Sequence, residues 1–298
     1  MTTTGRAGGS GHPSAPAGAW VPVPVCAPVC LPDPTAYPRV GRLRFGLRLV
    51  SLVAVLAVTL AGVPVLRGRA RQRWIRSAAR RSLRAAGVSL HVTGPVAPAG
   101  GALVVANHLS WIDVLALYAT GPMRMQAKRE VTAWPVIGGL ATRIGTLFVD
   151  RTGLRALPTT VAETAAAMRA GAVVGVFPEG TTWCGTAAGT FRRAAFQAAI
   201  DADVPVRPVG FVLRLPDGSA TAAGAFVGDQ TLWDSLNRVL RLPALVCQMT
   251  LLPVLDPASG DRRALATAAA AAVGGITGVH HPATTVHRSA PDAVPAAA

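Results

Sequence analysis

The sequence predicts an α/β fold: a largely parallel mixed sheet flanked by helices, preceded by an N-terminal membrane-anchoring helix. Three observations carry this expectation. From Gly87 onward, apolar runs of strand length alternate with stretches of helical periodicity, the pattern of a mostly parallel sheet covered by helices. Ahead of them lies an uncharged apolar stretch bracketed by arginines. Three polar clusters, Asn107-His108, Asp150-Arg151 and Pro178-Glu179-Gly180-Thr181, each follow directly on an expected strand, where ligands gather in such sheets.

In chain order, residues 1–38 are rich in Gly, Ala and Pro with almost no charge and read as a disordered arm. Residues 39–86 read as a membrane anchor with a basic amphipathic segment. Its apolar part, 49–66, is eighteen residues without a charge, at the lower limit for a spanning helix, and Pro64 shortens the unbroken run. It begins too late for a signal peptide and shows no cleavage pattern. Both a spanning and a re-entrant anchor fit it.

Charge locates the partner of this segment. Of a formal charge of +15, twelve arginines and no acid lie between Arg39 and Arg84, whereas from Ala85 onward sixteen basic and thirteen acidic residues nearly cancel. Arginines that bracket an apolar stretch point to anionic membrane lipid. Nucleic acid is excluded as a class, because no binding motif is present and no basic face lies outside the bracket. The larger arginine cluster follows the apolar stretch, so a spanning segment would place it, and the domain behind it, on the cytoplasmic side of a cell membrane. Ala70, Trp74, Ile75, Ala78, Leu83 and Ala86 follow a helical stripe among these arginines, as in an interfacial amphipathic helix.

The domain proper is expected over 87–275. Strands are expected at 89–92, 102–106, 124–127, 146–149, 173–177, 206–213 and 245–252, and helices at 111–119, 135–144, 157–170, 191–200, 231–240 and 261–273. Residues 276–298 read as a disordered tail, and His280, His281 and His287 lack the carboxylate or cysteine neighbours of a metal site. Cys26, Cys30, Cys184 and Cys247 are scattered, without zinc spacing or a disulfide framework, so neither metal nor disulfide is expected.

Chemistry concentrates at His108 and Asp113. An imidazole can accept a proton near neutral pH, and a carboxylate on its other ring nitrogen fixes the tautomer and stabilises the imidazolium. Residues five apart on one continuous helix lie about 140° apart and do not converge. The pair therefore requires His108 in the loop after the 102–106 strand and Asp113 in the first turn of the next helix. The same residues also fit a plain helix start, because Ser110-x-x-Asp113 resembles a capping box and an acid there suits the helix dipole. The segment alone leaves both readings open.

Four ordered motifs carry a family resemblance. They are Asn107-His108-Leu109-Ser110-Trp111-Ile112-Asp113, Gly145-Thr146-Leu147-Phe148-Val149-Asp150-Arg151, Phe177-Pro178-Glu179-Gly180-Thr181 and Val204-Pro205-Val206-Arg207-Pro208-Val209. Together they resemble the glycerolipid acyltransferases, above all the bacterial 1-acylglycerol-3-phosphate O-acyltransferases; enzymes that acylate lyso-ornithine lipid carry similar motifs. The resemblance spans about residues 88–253. It implies transfer of a fatty acyl group from acyl-CoA or acyl carrier protein to a lysophospholipid hydroxyl in phospholipid biosynthesis, with no cofactor and no metal. His108 and Asp113 would form the general-base dyad and no acyl-enzyme would form. Ser110 lacks a nucleophile elbow, and Cys184 is the remaining thiol near a motif. Arg151 and Lys128, the latter the sole lysine beside twenty-eight arginines, would bind the acceptor phosphate. Glu179 would hold the site together, and backbone N–H groups near Gly180 and Thr181 would receive the oxyanion.

One departure bears on the acceptor. Many members of the family place an arginine after the Phe-Pro-Glu-Gly-Thr run, where this chain has Thr182. Arg192, Arg193 and Arg207 are the cations that could replace it. A lyso-ornithine lipid or another lysolipid acceptor is the alternative this departure keeps, and a non-catalytic lipid-binding protein is a lesser one.

Overall fold

The structure, a computed structural model, describes residues 26–95, 100–150 and 154–282. The arm before 26, the tail after 282 with His287, and Arg151 lie outside the described residues.

Seven strands form one sheet: β1 (Val88–Thr93), β2 (Ala102–Ala106), β3 (Arg124–Lys128), β4 (Leu147–Val149), β5 (Val173–Val176), β6 (Val206–Arg214) and β7 (Leu245–Leu251), in the order β1-β7-β6-β2-β5-β3-β4. The pairs β6–β2, β2–β5, β5–β3 and β3–β4 are parallel, β7 runs antiparallel to β6, and β1 is parallel to β7. Five strands thus share one direction and two at one edge reverse, the largely parallel mixed sheet expected from the alternation.

The helices are α1 (Arg42–Val65), α2 (Gly68–Ala85), α3 (Trp111–Thr120), α4 (Ile137–Arg143), α5 (Leu157–Arg169), α6 (Ala194–Ala202), α7 (Leu232–Arg241) and α8 (Arg262–Thr277). Two hydrophobic layers sandwich the sheet. On one side Leu83 of α2, Ile112 and Leu117 of α3 and Leu240 of α7 pack with Val104 and Ala106 of β2. On the other, Met168 of α5, Phe196 of α6 and Leu265 of α8 pack with Leu103 and Val105. The period-two alternation of side chains along β2 feeds both layers, which is why the strand reads as an unbroken apolar run.

Three boundaries differ from expectation. Helix α6 starts at Ala194, not 191, because the Arg192 N–H is taken by Pro178 O at 3.1 Å and Phe191 packs edge-on against His281. Helix α8 runs through residue 275 to Thr277 and the chain continues to a buried His281, so the expected tail boundary falls inside folded structure. Residues 26–38 of the expected disordered arm dock on the domain: Cys26 is buried against Cys184, Ala225 and Val227, and Tyr37 Oη lies 3.2 Å from Thr221 Oγ1. Small apolar side chains suffice for this docking, and low charge with abundant proline does not reveal it.

Helices α1 and α2 form a hairpin. Helix α1 is long and apolar enough to cross a membrane, by length and composition. Gly62 is required where the two meet, since a Cβ there would collide with the Trp74 indole. The start of α1 is fixed to the domain by Arg48, whose guanidinium donates to Leu240 O at 2.9 Å, Leu242 O at 2.6 Å and Pro243 O at 2.9 Å.

Candidate active site

The site forms where the central strands β2 and β5 end side by side. Immediately past β2, Asn107 continues the ladder with its side chain: its Oδ1 accepts from the Phe211 N–H at 2.8 Å and its Nδ2 donates to Phe211 O at 3.0 Å. The turn that follows is held at nearly every backbone group. The His108 N–H donates to Glu179 Oε2 at 2.7 Å. His108 O accepts from the Trp183 N–H at 2.8 Å, and Leu109 O from the Phe226 N–H at 2.8 Å. A loop pinned this way presents its side chain in one geometry.

Asp113, in the first turn of α3, gathers that turn onto one oxygen. Its Oδ2 accepts from the Leu109 N–H at 2.5 Å and the Ser110 N–H at 2.8 Å, and lies 3.0 Å from His108 Nδ1. An oxygen receiving two N–H donors presents lone pairs to the third group, so Nδ1 carries the hydrogen and Nε2 is left as the acceptor. The capping and dyad readings of Asp113 are therefore both realised, by the same atom. Capping is one-sided here, because the Ser110 hydroxyl has no partner among the described residues. The Asp113 side chain is fully buried whereas the His108 side chain is 19% exposed, which leaves the imidazole reachable from outside. Phe177 stacks on the His108 ring at 3.8 Å between centroids and 8° between planes, holding its face.

Glu179 sits behind the histidine. Besides the His108 N–H it accepts the Gly189 N–H on Oε1 at 2.9 Å, so one carboxyl ties the β2 turn to the 180–189 loop. Burial pushes this carboxyl up to about 8, against the pull of its two N–H donors. His281 lies 3.6 Å from Oε1 and donates from Nδ1 to Gly189 O at 2.9 Å. Burial lowers its pKa, against the pull of the Gly189 carbonyl. The sequence reading missed His281, since only the path of the chain after α8 brings it here.

These side chains line the end of a sheet that has known counterparts. Residues 88–212 match the model of the Acyltransferase family. The lyso-ornithine lipid O-acyltransferase of Pseudomonas aeruginosa is 35% identical over 249 residues, covering 78% of this chain and 93% of the relative. The chain belongs to the acyltransferase family. The 1-acyl-sn-glycerol-3-phosphate acyltransferase of Neisseria gonorrhoeae is 32% identical over 75% of this acyltransferase and 88% of its own length. The fold is also that of the 1-acyl-sn-glycerophosphate (LPA) acyltransferase PlsC from Thermotoga maritima, at a TM-score of 0.62 and 17% identity, covering 79% of this chain and 94% of that one.

In this acyltransferase His108, Asp113, Glu179 and Gly180 form one cluster. Gly180 adopts φ +78°, a conformation that favours glycine. Its N–H donates to Phe177 O at 3.1 Å and closes the turn, so that donor is committed. Thr181 follows, and its N–H has no hydrogen-bond partner among the described residues. Lys128 ends β3, two strands from β2 on the same edge, a lateral separation of about 10 Å at ordinary strand spacing. Arg207, the second residue of β6, is level with Val104 in the middle of β2 rather than with the β2 turn, and it donates to Leu252 O at 2.8 Å. Arg192 is beside the Pro178 turn through its backbone.

Proposed function

We propose that the acyltransferase moves a fatty acyl group from acyl-CoA or acyl carrier protein to the free hydroxyl of 1-acylglycerol 3-phosphate, giving phosphatidic acid at the cytoplasmic face of a membrane. The observation that carries this reading is the His108–Asp113 contact, which leaves Nε2 as a proton acceptor on an accessible ring. In the step proposed, Nε2 takes the hydroxyl proton as the oxygen attacks the thioester carbonyl. The C–O bond forms, the C–S bond breaks, and the imidazolium returns its proton to the leaving thiolate. No cofactor is needed, and no residue is acylated. With the Gly180 N–H committed to its turn, the Thr181 N–H is the oxyanion donor in this scheme. Lys128 and Arg151 would hold the acceptor phosphate, Arg151 through its planar fork.

A second acceptor is favoured by a specific observation. Thr182 stands where the resemblance expects a phosphate-binding arginine, and a relative covered over 93% of its length is named for lyso-ornithine lipid. The test is acyl transfer by detergent-purified protein from a labelled thioester to matched lysophosphatidate and lyso-ornithine lipid, with His108→Ala alongside. Loss of a general base costs about 10²- to 10⁴-fold, so the variant should fall at least a hundredfold on whichever acceptor is used. Wild-type rates in His108→Ala would sink the mechanism. A preference for lyso-ornithine lipid that is lost in the variant would keep the mechanism and replace the acceptor.

A further inference from the structure

Cys26, Cys30 and Cys184 are scattered in sequence, yet their sulfur atoms all lie within 4.8 Å of one another. We propose that these three thiolates bind one Zn²⁺ ion, which fastens the N-terminal arm to the loop after the Glu179–Gly180 turn. Tetrahedral zinc with Zn–S bonds of about 2.3 Å sets its sulfurs about 3.8 Å apart, so a closure of about 1 Å completes the site.

The local structure is arranged for this. A 3₁₀ turn at Pro28–Cys30, with the Cys30 N–H on Ala27 O at 2.9 Å, folds Cys30 back toward Cys26. The Cys184 N–H donates to Cys26 Sγ at 3.4 Å, and Thr186 Oγ1 lies 3.1 Å from Cys184 Sγ. Such polar groups around sulfur orient ligands and offset thiolate charge. All three residues are free cysteines. Cys26 and Cys184 are buried among Ala225, Val227, Leu31 and Trp183, while Cys30 is exposed and gives the ion its way in. A sulfur-only set selects a soft or borderline ion over Mg²⁺ or Ca²⁺, which take oxygen ligands. A disulfide would use two of the thiols and leave the third idle, whereas a metal uses all three, with water in the fourth position.

The consequence reaches the site. Cys184 follows Trp183, whose N–H holds His108 O at 2.8 Å. A metal at Cys184 would fix the strap that steadies the His108 turn, a positioning role separate from the acyl-transfer chemistry.

The test uses the full chain, purified in detergent with reductant, loaded with excess Zn²⁺ and desalted before metal analysis. About one Zn²⁺ per chain is expected, and Co²⁺ loading should give the near-ultraviolet thiolate-to-cobalt absorption of a sulfur site. Cys30→Ser, at an exposed position that leaves the fold intact, should weaken Zn²⁺ binding at least about tenfold. Cys184→Ser should abolish it, and Cys247→Ser should retain the full metal content. Zinc should also protect residues 26–38 from proteolysis. A chain that retains no zinc, a cobalt form without the thiolate band, or zinc content unchanged in both Cys30→Ser and Cys184→Ser would each overturn the site.

Discussion

At the scale of single residues, Glu179 concentrates several demands on one side chain. It is buried, it receives two backbone N–H donors from separate loops, and it has the buried His281 for a neighbour. Its folded-state pKa of about 8 stands above the ordinary value of 4.5. Between those limits the native protein holds a proton that the unfolded chain has lost, so this contribution to stability is full below about 4.5 and disappears as pH rises through about 8. The slope is about 1.4 kcal/mol per pH unit while the native state alone carries the proton. Glu179→Gln removes the titrating group and costs about 1–3 kcal/mol by setting an amide N–H against one of the two donors. Thermal unfolding from pH 5 to 8 should therefore show wild type losing about 4 kcal/mol relative to the variant, enough to close the variant's deficit and reverse it near the upper end. A constant gap would mean that Glu179 is ionised throughout. The identity of Glu179 was legible from its motif, and so were His108 and Asp113, because their spacing across a strand end and a helix start admits one productive geometry. His281 and the convergence of the three cysteines were not, since each depends on where a chain end docks, and no local periodicity encodes that.

At the scale of elements, all seven strands and the helices α3 to α8 were legible within a few residues, because each carries its own apolar period and its own punctuation. The hairpin of α1 on α2 was less so. Arg48 read as one more member of a basic flank, yet it is buried and gives hydrogen bonds to three carbonyl groups at the end of α7. Those carbonyls have lost water to the packing of α1, and removing the guanidinium would leave them unmet at about 1–3 kcal/mol for each orphaned group. Arg48→Met, which keeps the apolar stem, should destabilise the docking of α1 by about 3 kcal/mol in total. The measurement is limited proteolysis in detergent: new cleavage within 39–48, with the domain resisting as before, is the expected pattern. An unchanged digestion profile would mean that the apolar contacts of Phe45, Leu49 and Leu52 hold α1 without Arg48.

At the scale of the whole molecule, the hairpin decides how the protein meets a bilayer. Val50, Val53, Val58 and Val65 of α1 are exposed, an apolar surface that water does not favour and lipid does. Helix α2 folds back along α1, with Trp74 seated against Gly62, so Arg69, Arg73 and Arg76 travel wherever the second half of α1 goes. Carrying each of those arginines to the bilayer centre costs about 2.5–3.5 kcal/mol or more, whereas leaving them among anionic headgroups gains about 1 kcal/mol apiece. The balance favours a hairpin that enters one leaflet, apolar face of α1 down and arginines at the surface, with the domain on the same side as both of its ends. Two outcomes follow. Binding to vesicles containing phosphatidylglycerol should exceed binding to pure phosphatidylcholine and weaken with salt, and Arg69, Arg73 and Arg76 changed together to Gln should remove most of that preference. Gly68→Cys, at the turn between the helices and in a chain whose exposed Cys30 is changed to Ser, should react with a membrane-impermeant maleimide from the side that carries the domain. Reaction only from the opposite side would show that α1 crosses the bilayer and that the arginines of α2 find partners on the far surface instead.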